Sequence, residues 1–171
     1  MNPEALKALQ APLKAQYETN PAAAVVTLRA EANGADGIAC KVDTGRALVE
    51  AGLHPATGGD GSQACSGDML LEALVACAGV TFQAVATAFG VDAKRLRVTA
   101  EGDLDFRGTL GVAKDAPVGF GDIRLNFDFE ADAPAQTLDK MIELTERYCV
   151  VLQTIKHTPR LTVTQRAARQ S

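Results

Sequence analysis

Two of the four cysteines in this chain lie in segments whose residue patterns place them inside a folded domain. Cys77 is at the centre of the longest apolar stretch, residues 66–89, and Cys149 lies on the apolar stripe of a later segment, residues 135–152. A cysteine thiolate is a nucleophile, and two thiols are able to form a disulfide, so such a pair suits redox chemistry. Free cysteine is also among the most buried residue types and packs as a small apolar side chain. The pattern alone is compatible with either role.

The remaining cysteines and the histidines do not indicate a metal site. Cys40 and Cys65 belong to no CxxC pair, and His54 and His157 are isolated, so the spacing of zinc ligands is absent from the sequence. The glycine-rich stretch GGDG lacks the lysine and the hydroxyl residue of a phosphate-binding loop. We therefore predict neither a metal ion nor an organic cofactor.

Composition and charge narrow the class of protein. A length of 171 residues with 47% apolar content fits one domain with a real core, and we expect a main domain at 21–171 after a helical extension at 1–20. The net charge of -4, without a basic stripe, argues against a nucleic-acid partner. The start, MNPEALKALQ, lacks the features of a secretory signal, which predicts a cytoplasmic protein with buried or reactive thiols rather than structural disulfides.

The segment that carries Cys77 reads as a helix from Ser66 to Phe89. It is apolar around nearly its whole circumference, which is typical of a helix buried in a domain, with its first residue as the N-cap and a glycine following its end. Asp68, Glu72 and Gln83 interrupt it, so it lacks the run of about 18 apolar residues that a membrane span needs. The sequence predicts a core helix and no membrane partner.

The rest of the chain alternates between apolar and polar residues in a way that indicates strands. The predicted strands are residues 25–32, 38–43, 46–52, 96–106, 122–130 and 161–165, with an Asn33-Gly34 turn closing the first hairpin. Strands with one apolar and one charged face form antiparallel sheets that helices must cover. Residues 135–152 supply a second helix, whose stripe turns Cys149 inward. The expected fold class is α+β.

Two stretches around the cysteines, LLEALVACAGVT and ELTERYCVVLQT, resemble the two motifs of the OsmC/Ohr family of thiol-dependent peroxidases. The resemblance is closest to the OsmC-like branch and covers roughly residues 24–166. It implies a two-layer fold in which antiparallel sheets pack on two central helices. It also implies an intertwined homodimer, and a second subunit would cover the helix that is apolar all round.

The same resemblance implies a reaction. Cys77 would match the peroxidatic cysteine, which attacks an organic hydroperoxide, or hydrogen peroxide, and becomes a sulfenic acid. Cys149 would match the resolving cysteine, which condenses with that acid to a disulfide that an external dithiol reduces. Such chemistry requires a lowered thiol pKa, because an unperturbed cysteine is mostly protonated at neutral pH.

In the family, an arginine on an earlier strand activates the peroxidatic thiol, and a glutamate in an Asn-Pro-Glu-like turn often holds that arginine in place. Arg46 is the best match for the arginine, followed by Arg29, although either also suits an ordinary solvated strand position. The chain departs from the family at the turn, where it has Cys65-Ser66-Gly67-Asp68. Asp68 is the candidate substitute for the glutamate, or a plain first-turn residue that the helix dipole favours.

Other residues near the two motifs have weaker claims. Cys65 is either an alternative resolving thiol or an incidental loop cysteine. Cys40, on the apolar face of a predicted strand, is predicted to lie in the core. Thr81, one helical turn after Cys77, is placed to form a hydrogen bond near the thiol, whereas His157 suits the surface. The missing Asn-Pro-Glu turn favours an alternative function: a non-catalytic OsmC-fold protein that binds a small apolar ligand, with structural cysteines.

Overall fold

The structure is a computed structural model with an α+β architecture. It describes residues 2–5, 8, 11, 31–34, 40–43, 48–111 and 114–166. The strands are β1 (Glu31–Gly34), β2 (Cys40–Asp43), β3 (Leu48–Gly52), β4 (Ala64–Cys65), β5 (Lys94–Leu104) and β6 (Phe120–Glu130). The helices are α1 (Ser66–Phe89), α2 (Phe106–Thr109), α3 (Ala135–Tyr148) and α4 (Val150–Lys156), with a 3-10 turn at Pro55–Thr57.

The first sheet has the strand order β1-β2-β3-β4. The predicted hairpin is confirmed, because β1 and β2 pair antiparallel, but the predicted Asn33-Gly34 turn is wrong: both residues lie inside β1, with Gly34 opposite Cys40. The expectation of antiparallel sheets also needs one correction, since β4 runs parallel to β3, with Ala51 opposite Ala64. A parallel pair requires a long connection, and the stretch between β3 and β4, expected as a structureless loop, provides it with an ordered 3-10 turn.

The second sheet consists of β5 and β6 paired antiparallel, as the alternation predicts. Its outer face carries the charged side chains, where the Arg124 guanidinium contacts the carboxylates of Asp103, Asp122 and Glu101. These groups are exposed, so they stabilise the fold little and keep this face in solvent. The inner face packs on α1.

Helix α1 has the bounds that the sequence predicts. Gly90 ends it in the left-handed conformation, with φ 69°, which glycine adopts without strain. The predicted Ser66 N-cap is wrong: Cys65 occupies that position, with extended backbone angles and no capping hydrogen bond from its side chain. The cap moves by one residue because β4 runs through Cys65 directly into the helix.

The core lies between α1, the inner face of the β5–β6 sheet and α3 with α4. Phe82 is fully buried, and its ring centroid lies 5.7 Å from that of Phe127 and 4.6 Å from that of Phe129. The other fully or nearly buried members are Leu74, Ala78, Val85, Ala86, Met141, Thr145 and Cys149. The α1 members recur every three or four residues, which identifies the face of the helix that the chain itself covers.

The two ends of the chain add little to this body. The predicted strand at 161–165 is wrong: residues 161–166 are irregular and exposed, with Leu161 at 76% and Val163 at 95% exposure. No described strand lies beside them, and a strand forms only where its backbone groups find partners. At the N-terminus, residues 3–5, 8 and 11 are helical, whereas most of the predicted extension and strand 25–32 lie outside the described residues.

By length and composition, α1 is the one helix in the described ranges that could cross a membrane. Core helices pass the same test, and α1 packs on β5, α3 and α4 through its buried face. Its position in the fold is that of a central helix.

Replacing Phe82 with alanine should lower the free energy of unfolding by about 3–5 kcal/mol, because it removes a fully buried ring between two aromatic neighbours. Urea denaturation followed by circular dichroism measures the loss. Val163→Ala, at an exposed position, is the matched control and should change the value by less than about 0.5 kcal/mol. Equal effects of the two substitutions would contradict the core described above.

Candidate active site

The helix predicted at 135–152 is interrupted at Cys149. This residue has φ -70° and ψ 105°, an extended conformation that ends α3 and begins α4. Its N–H still donates to the Thr145 carbonyl at 2.9 Å, and its own carbonyl accepts from the N–H of Gln153 at 2.9 Å. The predicted continuous helix is therefore wrong. The β-branched residues Val150 and Val151, which favour helices only weakly, follow the break directly.

The break frees backbone donors for the two sulphur atoms. The first N–H groups of any helix have no carbonyl partner within that helix. At the start of α4, the N–H groups of Val150 and Val151 lower the pKa of the Cys77 thiol. The N–H group of Leu152 lowers the pKa of the Cys149 thiol. The cysteine at the break and the cysteine on α1 are therefore held by the same helix start.

The two cysteines predicted from the motifs lie together. Cys149 is fully buried and packs with Leu74 and Ala78 of α1, and the half-buried Cys77 packs against this cluster. The Cys149 thiol lowers the pKa of Cys77, and Cys77 raises the pKa of Cys149, as expected of neighbouring thiols. The cysteines whose side chains are described, Cys65, Cys77 and Cys149, are free thiols. The folded chain thus brings its two motif cysteines into contact in the reduced state.

The surroundings of Cys77 lower the pKa of its thiol below the ordinary value. Burial alone raises this pKa, but the Val151 amide, the Cys149 thiol, the Val150 amide and the Thr81 hydroxyl together lower it further. Each of these groups is a neutral donor, and a donor directed at the sulphur favours the thiolate. The main causes of the shift are thus neutral donors, and no cation from the described parts of the chain is among them.

The pKa of the Cys149 thiol moves the other way, above its ordinary value. Burial is the largest cause, the Leu152 amide opposes it, and the hydrogen bond and charge of the neighbouring Cys77 raise the pKa further. The two pKa values are therefore pushed apart. As pH rises, Cys77 loses its proton first and Cys149 keeps its own, so the pair holds one thiolate and one thiol that donates to it.

The other predicted site residues are not gathered at this pair. Arg46 and Arg29 lie outside the described residues. Asp68 is exposed in the first turn of α1, and its separation of nine positions from Cys77 corresponds to about 13 Å along a helix, too far for contact. Glu72 is exposed, so its carboxylate is solvated and needs no buried partner.

Cys65 lies at a different place in the fold. It lines a separate cavity of about 320 Å³ together with His54, Asp68 and Phe106, and the His54 and Phe106 rings stack at 4.9 Å. Cys40 lies in β2, and the position of its side chain is outside the description. His157 follows α4 and is exposed, as predicted.

Sequence reasoning missed the two most influential backbone groups, the amides of Val151 and Val150. Backbone amides have no residue type to search for, so only the position of the helix break reveals them. The signal that was available is the pair of β-branched residues directly after Cys149. Such a pair weakens a helix but does not by itself require a break.

An apolar surface surrounds the thiol pair. Val80, one turn after Cys77 on α1, is 72% exposed, and Val150 and Tyr148, on either side of Cys149, are 68% and 57% exposed. The stripe continues along α1 through Ala76, Ala73 and Leu70, which are also exposed. The chain by itself leaves this face of the central helix uncovered.

The family model described as OsmC-like protein matches residues 59–164, which include both cysteine motifs. This stretch begins just before α1 and extends beyond α4. A comparison with curated proteins gives no match.

Solved structures with a similar fold include three examples. An OsmC-like protein from Mycoplasma pneumoniae has a TM-score of 0.65 at 14% identity, with 78% of this chain and 89% of that chain covered. An organic hydroperoxide resistance protein from Elizabethkingia anophelis, with thiocyanate bound, has a TM-score of 0.61 at 17% identity, with 78% and 91% covered. The organic hydroperoxide resistance protein OhrB of Bacillus subtilis has a TM-score of 0.52 at 15% identity, with 78% and 93% covered. At these identities the likeness is one of fold.

Replacing Val150 with proline should raise the pKa of Cys77, by up to about one unit, because it removes one N–H donor to the thiolate. Proline is well suited to the first position of a helix, and the extended Cys149 has the conformation that a residue before proline prefers. The measurement is the rate of Cys77 alkylation against pH in reduced protein, with the modified peptide quantified by mass spectrometry.

The matched control is Val150→Ala, which shortens the side chain but keeps the N–H. Its alkylation profile should stay with the wild type. If the proline and alanine variants moved together, the side chain rather than the amide would control the thiol, and the helix-start explanation would be wrong.

Proposed function

The chain belongs to the family of OsmC-like proteins, and we propose that it is a thiol-dependent hydroperoxide reductase with Cys77 as the peroxidatic and Cys149 as the resolving cysteine. The observation that carries the proposal is the contact between these two thiols, whose pKa values are shifted in opposite directions. Such a pair supplies a nucleophile and its resolving partner from one site. The shared fold of the organic hydroperoxide resistance proteins supports the same reaction class.

In the first step, the Cys77 thiolate attacks the terminal oxygen of the hydroperoxide. An S–O bond forms as the O–O bond breaks, Cys77 is oxidised to a sulfenic acid, and the organic fragment leaves as an alkoxide. The alkoxide takes a proton and departs as an alcohol. The Cys149 thiol, which is buried beside Cys77 and has a raised pKa, is the proposed donor of this proton.

In the second step, the Cys149 sulphur attacks the Cys77 sulphur. An S–S bond forms, the S–O bond breaks, and the leaving hydroxide takes a proton from solvent to become water. An external dithiol then reduces the disulfide by two thiol exchanges and is itself oxidised to a disulfide. The balance is one hydroperoxide and one dithiol converted to one alcohol, one water and one disulfide. No cofactor is required for this cycle.

The surroundings of Cys77 favour organic hydroperoxides over hydrogen peroxide. The exposed Val150 directly follows Cys149, and an alkyl or aryl group gains by covering such apolar surface. Hydrogen peroxide has no apolar part to place there. Arg46 stays the proposed cation near the thiolate.

We propose further that two chains form a homodimer through the uncovered face of α1. Leu70, Ala73, Ala76 and Val80 form one apolar stripe along this helix, and a second copy would cover it. The thiol pair would then lie beside the interface. The protein would act in the cytoplasm, where dithiol reductants are available.

The competing function is ligand binding without catalysis. A cavity of about 460 Å³ lies at the far end of α1, lined by Ala86, Gly90, Val91 and Leu96 among others. It does not include either motif cysteine. If the protein bound a ligand in this cavity without catalysis, peroxide would not have to oxidise Cys77. Oxidation of Cys77 by peroxide therefore distinguishes the two functions.

The reductase proposal predicts turnover of tert-butyl hydroperoxide with a dithiol reductant, faster than that of hydrogen peroxide. Cys77→Ser should abolish turnover, because an alcohol replaces the thiolate. Cys149→Ser should still consume one equivalent of peroxide but accumulate the sulfenic acid, which dimedone labelling detects. Cys65→Ser is the matched control and should retain wild-type turnover.

Thiol counting gives the corresponding stoichiometry. One equivalent of peroxide should remove two thiols from the reduced wild type, and peptide mapping should find the Cys77–Cys149 disulfide. Wild-type protein that was as inactive as Cys77→Ser with several dithiols would overturn the reductase proposal and favour the ligand-binding function.

The dimer proposal predicts a mass of about twice 17.9 kDa by light scattering at micromolar concentration. Val80→Asp should shift the protein toward the monomer, because it places a charge in the apolar stripe. Val163→Asp introduces the same charge at an exposed apolar position away from α1 and should leave the mass unchanged. A wild type with the mass of one chain would contradict the proposal.

A further inference from the structure

Thr81 is the polar residue that lies closest in α1 to the reactive thiol. It follows Cys77 by four residues, which corresponds to about 40° around a helix and places the two side chains on the same face. Side chains in a helix lean toward its N-terminus, so Thr81 lies over the preceding turn. Its Oγ1 donates a hydrogen bond of 2.8 Å to the Cys77 carbonyl oxygen. The proximity of this hydroxyl also contributes to lowering the pKa of the Cys77 thiol.

A hydrogen bond to the carbonyl four residues earlier is not unusual by itself. Thr87, Thr145 and Thr154 make the same bond, to the carbonyl oxygens of Gln83, Met141 and Val150 at 2.7, 2.7 and 2.8 Å. This bond is a common way for threonine to satisfy its hydroxyl in a helix. Thr81 differs from the others because the residue four positions earlier, whose carbonyl oxygen it contacts, is the nucleophilic cysteine itself.

The Thr81 hydroxyl has one proton to donate, and Cys77 offers two possible acceptors, its carbonyl oxygen and its sulphur. The Cys77 carbonyl is a neutral acceptor that also takes part in the backbone bonding of α1. The sulphur is a weak acceptor as a thiol and a strong one as a thiolate, since hydrogen bonds to an ionised group are about twice as strong as neutral ones. Ionisation of Cys77 therefore changes which acceptor the hydroxyl prefers.

We propose that Thr81 is a positioning residue for Cys77, whose hydroxyl turns from the Cys77 carbonyl to the sulphur when the thiolate forms. The inference rests on the proposed function of Cys77 and adds a residue to it. In the resting thiol state the hydroxyl stays on the carbonyl. In the reactive state the hydroxyl donates to the thiolate, which stabilises its charge and fixes the orientation of the Cys77 side chain.

The groups packed around Cys77 make this donor significant. Cys149 is the titratable group that faces it from the junction of α3 and α4. From β5 and β6, the apolar side chains of Val98, Ala100, Ile123, Leu125 and Phe127 pack against the cluster that includes Cys149 and Cys77. On α1 itself the nearest charged side chain, Glu72, is exposed. In such surroundings each polar donor has a large share in stabilising the negative charge.

The test is the pH dependence of Cys77 alkylation in reduced protein, resolved by peptide mass spectrometry, for wild type, Thr81→Val and Thr81→Ser. Valine keeps the β-branched shape and removes the hydroxyl, whereas serine restores it. The midpoint should rise by about one unit in Thr81→Val and return close to wild type in Thr81→Ser. At pH values below the midpoint, the alkylation rate of Thr81→Val should fall about tenfold.

Thr87→Val is the matched control, because it removes a hydroxyl with the same backbone bond in the same helix but away from the thiol. It should leave the Cys77 midpoint unchanged. An unchanged midpoint in Thr81→Val, or an equal shift in Thr87→Val, would overturn the role of Thr81. A shift that serine did not reverse would overturn it as well, by assigning the effect to packing.

This measurement does not depend on peroxide turnover. If Thr81→Val shifts the midpoint while no variant consumes peroxide, Thr81 positions the thiol and the reductase proposal alone fails. If wild type consumes peroxide with an unshifted Thr81→Val midpoint, the reductase proposal stands and Thr81 has only its backbone role.

Discussion

The candidate site depends on one local event, the break between α3 and α4 at Cys149. A continuous helix would bond the Val150 and Val151 amides to carbonyls of its own preceding turn. The break leaves these N–H groups without helical partners, and they act on the Cys77 sulphur instead. The same residue that interrupts the helix carries the second thiol. Backbone conformation, thiolate stabilisation and the approach of the two cysteines are thus consequences of a single extended residue.

Helix α1 imposes the other constraint. One of its faces packs against the β5–β6 sheet and α3, with Phe82 between two aromatic rings, and this packing fixes the rotation of the helix. Cys77 lies at the edge of the buried face, next to the fully buried Ala78. It is therefore held against Cys149 but still reaches the apolar surface at Val80. A rotation of one residue would either bury the thiol completely or separate it from its partner.

Among the described residues, neutral groups determine the electrostatics of the pair, and Arg46, the arginine that the family resemblance implies, lies outside them. An arginine and a glutamate were expected to favour the thiolate, whereas the described groups that lower the pKa of Cys77 are amides, a thiol and a hydroxyl. Neutral donors stabilise a thiolate without adding a counter-charge. They also leave the surrounding surface apolar, which agrees with a hydroperoxide that carries an organic group.

The sequence by itself determined the elements that follow from the spacing of apolar residues and from the residues that begin and end helices and strands. It gave the bounds of α1, the two long strands, the inward direction of Cys149 and the two motifs, because each depends on residues near in sequence. Only the tertiary structure decided the parallel β3–β4 pair, the absence of a strand at 161–165, the break at Cys149 and the contact between the thiols. These features depend on which backbone groups find partners in space. A free N–H group carries no signature in its residue type, so the donors to Cys77 become visible only when the chain is folded.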